Sequence, residues 1–428
     1  MVSTTASSDP ASPPVFDGHL AVPPVFDGHN DLAWALRQSF GSDVESAGLD
    51  VGQPALHTDL PRLRAGGVAA QFWSVFVPST MAPAEAVVAT LEQVDTVERI
   101  TSLFPETFRK VDSAADVRAA VADGRIASLM GAEGGHSIAG SLGVLRVLRR
   151  AGVRYLTLTH NDNTPWAASA TGTPVDFGLT DFGRTVVAEL NRLGIIVDLS
   201  HVAERTMHDA LDCTGAPVIF SHSSCRAVTE HPRNVPDNVL SRLAGNGGVI
   251  MLTFVPQFIS DACARYQEES DEIRRSIGLR TGFHHETPDD NPEAAMVYDW
   301  WRERHPAPRA SIDDVVRHIE HARDTAGIRN IGLGGDFDGI DMVPDGLEDV
   351  SCYPRLFERL SSRGWSDGDV RGLAFDNVLR VLDDADRISG ASGWTSRVDP
   401  ADLADLTGLA EPTGLAEPTG LAGLPAEA

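Results

Sequence analysis

His29 and Asp31 stand two positions apart at the end of Val-Phe-Asp-Gly-His-Asn-Asp, residues 25–31. Side chains two apart on a strand point to one face, so an imidazole nitrogen and a carboxylate oxygen there could grip one metal ion. The chain carries its own control. Residues 13–19 repeat as residues 23–29, but the first copy continues Leu-Ala where the second continues Asn-Asp. His19 lacks the carboxylate partner, so only the second copy is a site candidate.

Such residues need elements to position them. Eight short apolar runs recur along the chain, at 24–26, 69–77, 126–130, 155–158, 195–199, 218–220, 249–254 and 331–333. They are continuous and Val-, Ile- or Leu-rich, as strands buried on both faces are. Helical patterns fill many of the gaps, at 84–103, 143–151, 182–193 and 312–326. This alternation predicts an α/β fold, a (β/α)8 TIM barrel, in preference to a doubly wound open sheet. The Gly-rich pieces 131–135 and 332–335 do not form the GxGxxG fingerprint that would favour the open sheet. One connection, 255–311, is too long for a simple loop and predicts an insertion between strands 7 and 8, over the mouth where lids sit. Its His284-His285 pair reads as a solvated loop, because adjacent side chains diverge in a highly polar context.

In a barrel, chemistry collects at the C-terminal ends of strands. The first run closes with His29 and Asp31, the third with Glu133, the fourth with His160, the fifth with His201, the sixth with His222, and the eighth with Asp336 then Asp338. A lone histidine at any of these ends would be an ordinary core or loop residue. Four of the chain's fourteen histidines at equivalent ends, with carboxylates among them, point to a site. Imidazole and carboxylate without thiolate suit catalytic zinc. The expected arrangement is two Zn2+ per chain, one held by His29 and Asp31, the other by His201 and His222, with Glu133 bridging. Two such ions sharing a water would give hydroxide near neutral pH. Taken alone, Glu133 could equally be a carboxylate at a helix N-terminus.

These residues resemble the membrane dipeptidase (renal dipeptidase) family of the amidohydrolase superfamily, over roughly residues 22–390. The likeness rests on Asp-Gly-His-Asn-Asp at 27–31, Glu-Gly-Gly-His at 133–136, Leu-Thr-Leu-Thr-His-Asn at 156–161, Asp-Leu-Ser-His at 198–201, Ser-His-Ser at 221–223, Arg-Asn-Val-Pro at 233–236 and Gly-Gly-Asp-Phe-Asp-Gly at 334–339. The resemblance implies the barrel, two zinc ions, and His29, Asp31, Glu133, His201 and His222 as ligands. It also implies roles that spacing cannot assign. His160 would hydrogen-bond the scissile carbonyl oxygen as charge develops, and Arg233 would hold the C-terminal carboxylate of a dipeptide. Asp336 would move the proton to the leaving amine and meet the substrate's ammonium. Asp338 reads as structural. The expected reaction is hydrolysis of dipeptides, including those with a D-residue at the C-terminal position, by a metal-bridging hydroxide. The alternatives are a lactam, lactone or N-acyl amino acid as substrate, or a metal-binding protein without catalysis. The resemblance further implies a homodimer.

Bulk properties agree with an enzyme of small molecules. A net charge of −26 argues against nucleic acid and anionic lipid as partners. The single lysine, Lys110, lies in a polar stretch, against Schiff-base or carboxylated-lysine chemistry. Cys213, Cys225, Cys263 and Cys352 show no CxxC pair and read as reduced, mostly buried thiols. The opening residues have no basic start followed by an apolar run, so a cytoplasmic location is expected rather than the secreted, lipid-anchored one of animal members. Residues 1–21 read as a disordered segment and 396–428, which contain a repeat of Thr-Gly-Leu-Ala-Glu-Pro, as a flexible tail, flanking a 22–395 barrel.

Overall fold

Parallel strands and helices alternate through the chain, whose computed structural model describes residues 22–279, 281 and 291–391. The strands are β1 (Val25–Asn30), β2 (Val68–Phe76), β3 (Phe108–Lys110), β4 (Ile126–Glu133), β5 (Val153–Thr157), β6 (Ile196–Asp198), β7 (Ile219–Ser223), β8 (Val249–Leu252) and β9 (Ile331–Leu333). They pair in the order β2-β1-β9-β8-β7-β6-β5-β4, and β4 pairs back onto β2 to close an eight-stranded barrel. The fold is therefore the (β/α)8 barrel that the alternation predicts. The ninth strand, β3, is an addition outside the barrel wall. Its three residues, Phe-Arg-Lys, pair only with the start of β4, Phe108 opposite Ile126. It is too short and polar to stand out as an apolar run. Lys110 lies on it, reaching Glu98 and the Ala151 carbonyl, away from the strand ends that bear the histidines.

Both faces of the wall are buried, and side-chain alternation divides them. Phe26, Phe72, Leu129, Tyr155, Ile196, Ile219 and Met251 fill the interior together with Phe375, Val378 and Leu382 near the chain's final described helix, Asn377–Ala391. Their neighbours Val25, Trp73, Met130, Leu156, Val197, Phe220 and Leu252 face the surrounding helices. Each such buried side chain is worth roughly 1.5–3 kcal/mol against exposure. Helix boundaries follow local chemistry. The Thr180 hydroxyl accepts from Gly183 N to start the helix Asp181–Leu193, and Gly194 ends it at φ 69°.

The long connection after β8 contains the helices Pro256–Ile259, Asp261–Ser276 and Pro292–Arg304. His284, His285, the first copy of the heptad and the C-terminal repeat lie outside the described residues. All four cysteines are free thiols. Among the described residues no helix is long and apolar enough to cross a membrane.

Candidate active site

The C-terminal ends of the barrel strands and the loops following them bring His29, Asp31, Glu133, His160, His201, His222, Arg233 and Asp336 into one cluster, each at most 9% exposed. Six of the strand ends named from the sequence supply all of these except Arg233, which sits in the loop after β7. All of these but His29 line an open cleft, with Trp34, Phe76, Phe258 and Gly339 completing its wall. These aromatic residues were not singled out in the sequence. Phe76 closes β2, a strand end that carries no polar signal, and Phe258 lies within the long insertion.

Glu133 is the hinge of the arrangement. Its Oε2 lies 3.3 Å from His29 Nε2, and its Oε1 lies 3.0 Å from His201 Nε2 and 3.4 Å from His222 Nε2. Its two oxygens thus face two separate sets of donors. On the first side Asp31 Oδ2 is 3.2 Å and Asp336 Oδ1 3.8 Å from His29 Nε2. On the second, His201 and His222 bring their Nε2 atoms to 2.9 Å. His160 Nε2 also lies 3.9 Å from Glu133 Oε1, so a compact donor group of Glu133, His160 and His201 exists beside those of His29, Glu133, His222 and of His29, Asp31, Asp336.

His29 and Asp31 meet for a reason other than strand alternation. Asp31 lies beyond β1, at the residue preceding the helix Leu32–Phe40. It is set there by the β1 and β9 ends: Asp31 N donates to Phe337 O at 2.9 Å and Asp336 N to His29 O at 3.2 Å. Asp336, Asp338 and His201 have left-handed backbone, at φ 62°, 65° and 67°, which costs a non-glycine residue roughly 1–2 kcal/mol. For His201 the carbonyl is held by three donors, Ala170 N at 2.7 Å, Thr159 Oγ1 at 3.2 Å and Ser169 Oγ at 3.3 Å. Gly339 must be glycine for space. A Cβ there would stand 2.3 Å from Asp31 Oδ2 and 2.7 Å from Asp336 Oδ1. Asp338 Oδ1 turns away and accepts His57 N at 2.6 Å.

Neighbouring groups orient the imidazoles. Asp198 Oδ2 accepts from Ser221 Oγ and Thr157 Oγ1, each at 2.6 Å, while its Oδ1 accepts Ser221 N and Ser200 N. With its proton committed to Asp198, Ser221 Oγ accepts from His222 Nδ1–H at 2.9 Å, leaving Nε2 unprotonated with its lone pair toward His201 Nε2 and Glu133. His29 Nδ1 pairs with Tyr155 Oη at 2.8 Å, and Ser74 Oγ donates to Glu133 Oε2 at 2.9 Å. Such outer partners are what metal-ligating groups require.

Burial, Arg233 and the neighbouring histidines hold His201 and His222 well below the ordinary imidazole range, and the neutral form is the one that ligates. Burial pushes the Glu133 carboxyl up, but His29 and Ser74 outweigh it and leave it lowered. Burial raises Asp336 to about 7, against the pull of His29. Cations beside it would draw it back down. Burial pulls Arg233 to about 10. Its Nη2 donates to His222 O at 3.4 Å, whereas Nε and Nη1 have no protein partner among the described residues. The orphaned, buried Nε2 of His29 and Oδ1 of Asp31 likewise fit a bound cation.

A closed (β/α)8 barrel with histidines and carboxylates gathered at its mouth is, in class, a TIM-barrel protein with a candidate metal centre. The chain belongs to the membrane dipeptidase family, peptidase family M19, whose model matches residues 20–396. It is 43% identical over 384 residues to an uncharacterized dipeptidase of Schizosaccharomyces pombe, across 86% of this chain and 80% of that one. The crystal structure of a metallopeptidase from Rhodobacter sphaeroides, liganded with a phosphinate mimic of the dipeptide L-Ala-D-Ala, superposes with a TM-score of 0.70 at 26% identity, covering 85% of this chain and 100% of that chain. The dipeptidase AC, an M19 metallopeptidase, gives a TM-score of 0.70 at 27% identity, covering 85% and 99%.

Proposed function

We propose that the protein is a binuclear zinc dipeptidase that accepts a D-residue at the C-terminal position. The observation that carries this reading is the division of Glu133, one oxygen toward His29 and the other toward His201 and His222. His29 and Asp31 would hold one ion, His201 and His222 the other, with Glu133 between them. Zinc held there supplies Lewis acidity, polarising a peptide carbonyl and bringing the pKa of water towards neutrality.

The remaining residues divide the work on the substrate. Arg233 offers a carboxylate the end-on fork of its planar guanidinium, Nη1 without a protein partner among the described residues and Nη2 with only the 3.4 Å contact to His222 O, and the group lies 5.2 Å from the centroid of the Phe258 ring. A free carboxylate close behind the scissile bond is the group such a fork selects. His160, packed against Phe76 with ring centroids 4.8 Å apart, would donate to the carbonyl oxygen as it gains charge. Asp336, beside Asp31 and within the cleft, would take a proton from the attacking water at its carboxylate and return it to the departing nitrogen as the C–N bond breaks. It also offers a negative group to a substrate ammonium. The phosphinate mimic of L-Ala-D-Ala in the Rhodobacter sphaeroides relative supports the D-residue assignment.

The test is a panel of dipeptides, with L- or D-configured second residues, and of N-acyl amino acids, assayed on protein whose zinc content is measured. Hydrolysis of L,D-dipeptides at two zinc ions per chain is expected. Hydrolysis of N-acyl amino acids without any dipeptide would replace this reading with the N-acyl alternative.

A further inference from the structure

His318 lies on the helix Ile312–Ala326 and is fully buried, yet among the described residues its hydrogen-bond partners are Cys225, Thr229 and Ile259, none of them a proposed metal ligand. Its Nδ1 accepts the amide of Cys225 at 3.0 Å. A ring nitrogen that accepts an N–H carries no proton, so the proton of the neutral ring resides on Nε2. That nitrogen faces the Ile259 carbonyl and the Thr229 hydroxyl, each at 3.3 Å. Burial holds the ring neutral by lowering it to about 3.

These three partners frame Arg233. Cys225 begins the loop that carries it, and the loop closes on itself by the Cys225 bridge to Val235. Thr229 lies in the middle of the same loop. Ile259 follows Phe258, the ring beneath the guanidinium. Asn234 adds a parallel tie, donating to Thr229 O at 2.8 Å and to Phe258 O at 2.7 Å. Among the described residues the guanidinium has one weak protein acceptor, so its position depends on what surrounds it rather than on an ion pair of its own.

We propose that His318 is a positioning residue for substrate carboxylate recognition, tying the Arg233 loop to the Phe258 segment so that the guanidinium meets the carboxylate in one orientation. The inference rests on the reading of Arg233 given above. An imidazole suits the task because it accepts from one chain segment and donates to another across a rigid ring.

The experiment compares L-alanyl-L-alanine with its C-terminal amide, by steady-state kinetics on zinc-loaded wild type, Arg233→Met, His318→Ala and His318→Asn. Wild type is expected to prefer the free acid, and Arg233→Met to lose that preference. His318→Ala should raise KM for the acid about tenfold with kcat within about threefold, and lower the acid-to-amide preference alongside. His318→Asn keeps an acceptor for Cys225 N and should recover part of the loss, with zinc content unchanged throughout. Loss of preference in Arg233→Met with wild-type KM and preference in both His318 variants overturns the inference and leaves the Arg233 reading intact. Activity falling equally on acid and amide in the His318 variants also overturns it. An unchanged preference in Arg233→Met overturns both. If His318→Ala yields no folded protein, His318→Asn decides alone: a KM raised about threefold supports the tie, and a wild-type KM refutes it.

Discussion

His29 and His222 each occupy a one-residue bulge in a parallel strand, and their rings meet with centroids 3.9 Å apart. Between Asp27 and Asn30, β1 advances three residues while β2 advances two, from Gln71 to Trp73. Between Phe220 and Ser223, β7 does the same against Ile250 and Leu252. An extra residue re-phases the strand and re-aims the side chain it carries. Regular alternation from Phe26 and Ile219, both interior, would turn positions 29 and 222 outward. The bulges turn both imidazoles into the mouth, where Glu133 stands between the donor sets.

The duplicated heptad makes a controlled test of the first donor pair. Asp31→Ala should lower zinc from two ions per chain to one, measured by elemental analysis of dialysed protein. His19→Ala, in the copy without the aspartate, should leave zinc content and activity unchanged.

Tyr155 supports His29 through a channel made by a glycine. A Cβ at Gly131 would lie 1.9 Å from the Tyr155 ring, and the Tyr155 hydroxyl is 2.8 Å from His29 Nδ1. Tyr155→Phe should therefore weaken zinc about 10–100-fold, the usual effect of losing an outer-shell partner, read by chelator competition. Gly131→Ala should destabilise the fold by about 1–3 kcal/mol through overpacking, read by urea denaturation, and weaken zinc as well.

His160 separates two roles. If it donates to the developing oxyanion, His160→Asn should lower kcat about 100–1,000-fold with both ions retained. Loss of an ion would instead make it a ligand, as its 3.9 Å approach to Glu133 Oε1 permits. Metal analysis alongside kinetics distinguishes the two.

Acid should destabilise the protein through His318. Its folded pKa is lowered to about 3 from 6.5, so below about pH 6.5 the unfolded chain binds a proton that the folded chain refuses. The contribution is complete above pH 6.5 and is lost progressively as pH falls towards 3. His318→Asn lacks this titration, so the gap between wild-type and variant melting temperatures should narrow between pH 7 and pH 4.

The amino-acid sequence by itself determined the alternation of strands and helices, because strands buried on both faces leave uninterrupted apolar runs. It also placed histidines and carboxylates where six of those runs end. What it left undetermined were features set by pairing rather than by composition. β3 is visible only through its bond partners on β4. The bulges under His29 and His222 exist only relative to neighbouring strands. Asp31 reaches His29 because β9 holds the chain just past β1, not because the two alternate on one strand. Trp34, Phe76 and Phe258 look like any buried aromatic residues until the loops close around the cleft. Local residue type dictates which chemistry is available, but the register between distant strands decides which side chains share a face, and register is a property of the closed barrel.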